Sequence, residues 1–184
     1  MQTEKIILGI DPGTNLMGYA LLKVKGRNNI SLIVSGIVDM RKIKDSYLKL
    51  QTIFRRTSQI INEYLPDELA IESQFYGVNV QSMLKLGRAQ GVAITAALQN
   101  DIPIFEYAPR KIKMSITGTG TASKEQIANL LPKLLKQDLE AHTLDETDAI
   151  AIAYCHHIQS TTLINSSKSD SWKDFIRNNP KRIK

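Results

Sequence analysis

The segment Ile6-Ile7-Leu8-Gly9-Ile10 is apolar without a break, and Asp11-Pro12-Gly13-Thr14 follows at once. A short apolar run bounded by turn residues reads as a buried strand. The Pro-Gly step then bends the backbone directly after it. Any fold the chain adopts must bury residues 6–10 and leave Asp11 at the strand's end. A carboxylate placed there is anchored by the core yet open to solvent, which suits it to hold a metal ion. It could equally be an Asp that merely starts a turn, and these residues alone support both roles.

The rest of the chain supplies the other elements. Alternation and β-branched content mark residues 5–11, 17–24 and 31–39 as strands, with Gly26-Arg27-Asn28-Asn29 turning between the second and third. Three sequential strands suggest an antiparallel meander. Over residues 46–65, Leu50, Ile53, Phe54, Thr57, Ile61 and Tyr64 recur at helical spacing, and Pro66 ends the pattern. A short strand over Glu68 to Ser73, a helix over Val80 to Asn100 and a strand over Pro103 to Tyr107 come next. Helical segments follow near Lys111 to Ile116, Ser123 to Leu135 and Leu144 to Ile158, the first two separated by Gly118-Thr119-Gly120-Thr121. A meander followed by alternating helices and strands describes an α/β fold: a five-stranded mixed sheet flanked by helices.

A chain of 184 residues fits one compact domain. Residues 1–160 form that domain on this reading, and 161–184 turn to Ser, Asn and Lys as a basic tail, disordered or ordered on a partner. Neither a spanning apolar stretch nor a signal pattern is visible, so the expectation is a soluble, cytoplasmic protein without a membrane role. The single cysteine, Cys155, lies in an apolar run and reads as a buried structural thiol. Net charge is +6, which invites a nucleic-acid partner. Residues 165–184 carry +4 of it, however, leaving only +2 on the body. Binding a polyanion would then depend on local basic patches and metal ions.

Three further carboxylates could join Asp11. Glu72 closes its strand as Asp11 does, after Leu69, Ala70 and Ile71. If the two strands are neighbours, the two acids share one edge of the sheet and repel unless a cation lies between them. In Thr143-Leu144-Asp145-Glu146-Thr147-Asp148, Thr143 and Glu146 match a capping box. Asp145 and Asp148, three apart, then share one helix face, and Ala149, Ala151 and Ala153 let that helix lie close to the sheet. Acids near a helix N-terminus also complement its dipole, but that does not account for two more at strand ends. Four hard oxygen donors suit Mg²⁺ or Mn²⁺. Two such ions about 4 Å apart can drive in-line phosphodiester displacement. His142, His156, His157 and Cys155 lack the spacing of a zinc site, and no Ser-His or Cys-His pairing is evident.

These residues carry a resemblance to the RuvC family of bacterial Holliday-junction resolvases, in the ribonuclease H-like superfamily. It covers about residues 5–160. Its motifs are Ile-Leu-Gly-Ile-Asp-Pro-Gly-Thr with Gly18-Tyr19, Ala-Ile-Glu-Ser-Gln-Phe around Glu72, the segment Leu84 to Ala93, Glu106 to Arg110, Thr-Gly-Thr-Gly, and Asp145-Glu-Thr-Asp148-Ala-Ile-Ala. The resemblance implies a homodimer that binds a four-way DNA junction and nicks two strands of like polarity symmetrically, in recombination and repair. It implies two Mg²⁺ ions per site, replaceable by Mn²⁺, held by Asp11, Glu72, Asp145 and Asp148, and the branch-migration proteins RuvA and RuvB as partners. Some relatives have His where this chain has Asp145. Phe75 matches an aromatic used against bases near the junction centre, a role its neighbour Tyr76 can share. Lys85, Arg88, Lys113 and Lys124 fall where family members meet phosphate, the last two close to the active site.

Asp11-Pro-Gly-Thr14 also fits the Asp-x-Gly-x-Thr turn with which actin- and hexokinase-type proteins grip ATP. Those need a second such turn and a second lobe, and neither is present in 184 residues. A junction-binding protein without catalysis is disfavoured by the full set of four acids. A nuclease of the YqgF type would share the first motif but not Ala-Ile-Glu-Ser-Gln-Phe or Asp-Glu-Thr-Asp.

Overall fold

A computed structural model describes residues 4–26, 28–74, 79–139 and 143–166. Five strands form one sheet in the order β3-β2-β1-β4-β5. They are β1 (Glu4–Asp11), β2 (Leu16–Lys25), β3 (Asn29–Asp39), β4 (Glu68–Glu72) and β5 (Ile104–Tyr107). β1, β2 and β3 pair antiparallel as the expected meander, whereas β4 runs parallel to β1 and β5 parallel to β4. The helices are α1 (Ser46–Tyr64), α2 (Val80–Leu98), α3 (Pro109–Thr117), α4 (Lys124–Leu135) and α5 (Leu144–Ser166). None of the described helices is long and apolar enough to cross a membrane.

Two cores lie on the two faces of the sheet, and strand alternation divides them. Ile7, Ala20, Leu22 and Ala70 face α3, α4 and α5. Leu8, Ile10, Leu21, Leu69 and Ile71 face α1 and α2. Strand β1 is therefore covered on both sides, which is why residues 6–10 are apolar without alternation. The outer strand β3, by contrast, alternates between partly buried and exposed positions over most of its length.

Helix α5 is buried nearly all round from Thr147 to His157, as a helix apolar on every face requires. Two glycines let it come this close. A Cβ at Gly9 would lie 2.3 Å from the Ala149 carbonyl oxygen, and one at Gly18 would lie 2.1 Å from that of Asp145. Helix backbone thus rests on strand backbone, with Ala149 and Ala153 at the contact.

Most boundaries shift by a residue or two from those expected, and two of the differences matter. Pro109 opens α3 at its first position, where a missing N–H costs nothing, so that helix begins before Lys111. Helix α5 continues past Ile158 to Ser166, six residues beyond the expected domain limit at 160; residues 167–184 lie outside the described set. Cys155 is fully buried as a free thiol.

The Gly9 contact makes a direct prediction. Gly9→Ala should destabilise the protein by about 1–3 kcal/mol, because the added methyl must push α5 off β1. The urea midpoint should fall at unchanged m-value, and a variant as stable as wild type would show that the helix does not rest on the strand.

Candidate active site at the carboxylate edge

Asp11 pairs with Gly18 at the end of β1, and Ile10 pairs with Ile71 of the parallel neighbour β4. One residue on, Asp11 and Glu72 leave the sheet at the same edge. The α5 N-terminus meets that edge because its first turns lie over Gly18 and Gly9. Thr143 caps it: its Oγ1 accepts from the Glu146 amide at 3.3 Å and meets the Glu146 carboxylate at 3.3 Å. Asp145 and Asp148 consequently face Asp11. Carboxylate oxygens of Asp11, Asp145 and Asp148 all lie within 4.8 Å of one another.

Glu72 stands outside this trio but lines the same cavity as Asp11 and Asp148, a space of about 220 Å³. Its backbone is held from behind. Gln90 of α2, buried, donates from Nε2 to the Glu72 carbonyl at 3.1 Å and to the Glu106 carboxylate at 2.9 Å. The next residue, Ser73, donates its amide to the Tyr107 carbonyl at 3.0 Å. In the sequence Gln90 appears only inside the RuvC-like segment Leu84 to Ala93, with no role of its own.

The opposite wall is basic. Lys113 of α3 and Lys124 of α4 line the cavity, and Lys124 is bonded to Asp148. Lys124 owes its position to a full capping box, in which Ser123 and Gln126 bind each other's backbone amides at the start of α4.

Electrostatics mark the edge as strained without a cation. Burial, then repulsion from Asp148 and Glu72, pushes Asp11 up to about 8, although Lys124 opposes the rise. Burial and Asp148 also raise Glu72, against the pull of Lys124 and Lys113. Burial would lower Lys124, but Asp148, Asp11 and Asp145 outweigh it and hold the ammonium above its ordinary value. An all-carboxylate donor set in which burial and mutual repulsion both raise Asp11 and Glu72 fits a hard divalent cation.

Two other expected DNA contacts do not line this cavity. Lys85 and Arg88 line a separate groove between α1 and α2. Phe75 and Tyr76 lie outside the described residues.

The family model for RuvC, crossover junction endodeoxyribonuclease, matches residues 7–156. The chain belongs to the RuvC family. It is 56% identical to the RuvC crossover junction endodeoxyribonuclease of Bacteroides fragilis, over 98% of this chain and 97% of that one. It is 52% identical to that of Cytophaga hutchinsonii, over 98% and 89%. Among solved structures it is similar to Thermus thermophilus RuvC in complex with a Holliday junction substrate, with a TM-score of 0.80, 26% identity, and coverage of 86% of this chain and 96% of that one. The ribonuclease H-like α/β fold and the endonuclease class follow, as the RuvC motifs implied.

The raised Asp11 has a thermodynamic consequence for metal-free protein. Between about pH 4 and 8 the folded Asp11 keeps a proton that the unfolded chain has released, so stability falls as pH rises through that window. Asp11→Asn removes the charge. In EDTA at pH 8 it should stabilise the protein by on the order of 5 kcal/mol, with little effect at pH 4. Thermal melts at the two pH values measure the difference, and a variant less stable than wild type at pH 8 would contradict the electrostatic account.

Proposed function

We propose that this RuvC protein resolves four-way DNA junctions by nicking two strands symmetrically, with Asp11, Glu72, Asp145 and Asp148 as its catalytic acids. The observation that carries the assignment is the trio of carboxylates within 4.8 Å at an open sheet edge, walled by two lysines. On this reading the four acids would hold two Mg²⁺ ions, replaceable by Mn²⁺, which would supply charge neutralisation and water activation for in-line phosphodiester hydrolysis.

The protein's own residues divide the remaining work. Asp11, raised by burial and by Asp148 and Glu72, would be held ionised by a bound cation. Lys124 and Lys113 offer their charge to the scissile phosphate from the far wall. Gln90 keeps Glu72 from drifting by fixing the backbone at its carbonyl. Phe75 and Tyr76, just past Glu72 in sequence, offer ring faces to bases opened at the junction centre.

Symmetric nicking needs two sites, and α2 offers the surface for a second copy. Val80, Leu84, Gly87, Gly91 and Leu98 recur at heptad spacing along one side of the helix. The three apolar side chains are more than half exposed, and the space beside both glycines is open. Such a seam lets two helices pair closely in a homodimer. RuvA and RuvB as junction-delivering partners, and the cytoplasm as the place of action, complete the reading on family membership.

Cleavage of a labelled mobile four-way junction, beside a matched linear duplex in Mg²⁺, tests it. Wild type should cut the junction selectively. Asp11→Asn, Asp145→Asn and Asp148→Asn should each lose at least about 100-fold in rate while still shifting the junction in a metal-free gel. Equal cutting of both DNAs would overturn the resolvase reading, and undiminished cutting by the variants would overturn the acid assignment. For the dimer, Leu84→Asp should turn a dimeric sedimentation coefficient into a monomeric one.

A further inference from the structure

The groove that captures Lys85 and Arg88 is a second cationic site at the same end of the sheet. Its wall brings together Asn15, Lys44, Tyr47, Lys49, Lys85 and Arg88 around a space of about 240 Å³, over a floor that includes Leu50 and Ile53. No acidic side chain lines it. Asp45, the nearest in sequence, is turned into its own helix, where its carboxylate accepts from the Tyr47 and Leu48 amides at 2.7 and 2.9 Å. Lys49 is held by a neutral group, the Asn15 side-chain oxygen at 2.6 Å. Among the described residues none of the four cations has a carboxylate partner. Four uncompensated charges around one groove favour a polyanion.

Placement says which part of a polyanion. Asn15 follows Asp11 by four residues, and its carbonyl accepts from the Met40 amide at 2.8 Å, which pins the turn. One wall of the groove is thus continuous with the catalytic edge. Yet the groove opens on the α1 and α2 face of the sheet, whereas the catalytic cavity lies between β1, β4 and helices α3 to α5. A strand lying in the cavity cannot also fill the groove without crossing the sheet edge. A junction, whose strands diverge from one point, can supply both. Tyr47, 73% exposed at the rim, adds a ring face for a sugar or base.

We infer that the groove between α1 and α2 grips the phosphate backbone of a junction arm other than the one being cut, with Lys44 and Lys49 as phosphate contacts beside Lys85 and Arg88. The inference rests on the junction-nuclease reading and adds to it a source of selectivity: a linear duplex fills one site, a junction fills two.

The test is the Lys44→Ala/Lys49→Ala double variant, with Lys42→Ala as an exposed basic control outside the groove. Affinities for a four-way junction and a matched linear duplex are measured by fluorescence anisotropy in Ca²⁺, a divalent cation that carboxylates bind in place of Mg²⁺, across a salt series. Junction affinity at about 0.1 M salt should fall at least roughly ten-fold, and the log–log salt slope should become shallower by about 2. Duplex affinity should fall by less than about three-fold, and Lys44→Arg/Lys49→Arg should keep the wild-type junction affinity. A salt slope no different from that of Lys42→Ala, or an equal loss on both DNAs, would overturn the inference. Selective cutting of the junction by wild type in Mg²⁺ is scored separately, so a failure of the groove is distinguishable from a failure of the nuclease reading.

Discussion

The site exists because α5 lies backbone-to-backbone on β1 and β2. Ordinary helix–sheet packing keeps a layer of side chains between the two; here Gly9 and Gly18 remove it, and the carbonyls of Ala149 and Asp145 occupy the space. Asp145 and Asp148 then come within coordination distance of Asp11. A single methyl group at either glycine is incompatible with that approach. The geometry of the carboxylate edge therefore depends on two positions that carry no functional group at all.

Close contact alone would let the helix slide, and a buried polar chain two turns further along α5 prevents it. His156, fully buried, donates from Nε2 to Glu68 of β4 at 2.6 Å and accepts at Nδ1 from the Tyr107 hydroxyl of β5 at 2.7 Å. Lys5 of β1 joins the same Glu68 carboxylate at 2.5 Å, and Phe105 covers the imidazole with ring centroids 4.3 Å apart. Three strands and the helix are so joined through one carboxylate. His156, against the cost of burial and with help from Lys5, lowers Glu68 to about 2. The folded-state pKa lies below that of the free acid, so this tie contributes fully above about pH 4.5 and weakens only as pH falls toward 2. It holds throughout the range in which Asp11 titrates.

Much of this was legible in the sequence, for identifiable reasons. Asp11 and Glu72 could be read because each ends an apolar run, so local pattern fixed both strand and terminus. Asp145 and Asp148 could be read because Thr143 announced the helix start and three-residue spacing put them on one face. What spacing could not give was which cavity a surface lysine reaches. Lys85 and Arg88 sit one turn apart on α2, but the packing of α1 against α2 decides that they face a groove and not the carboxylates. Gln90 and His156 were opaque for the complementary reason. Each is a polar residue in a mostly apolar helix, and only the tertiary fold supplies the partner that makes its burial tolerable.

The arrangement also shows how one sheet edge serves opposite charges. Its acids are brought together by backbone contact that they do not stabilise, and burial together with repulsion from Asp148 and Glu72 pushes Asp11 up to about 8. Lys124 and Lys113 relieve part of the repulsion from one side but cannot cancel it, since Asp148 engages only one of them directly. The remaining imbalance is what a divalent cation satisfies. On the other face of the same edge, the four cations of the α1–α2 groove have no acid to meet, and their unbalanced charge calls for phosphate. An edge negative on one face and positive on the other orients a nucleic acid before any base is contacted: phosphate is drawn to the cationic groove outright, and to the carboxylates only when metal is present. Loading the metal therefore changes which part of the DNA the edge attracts, and binding and cutting become separable steps in the same site.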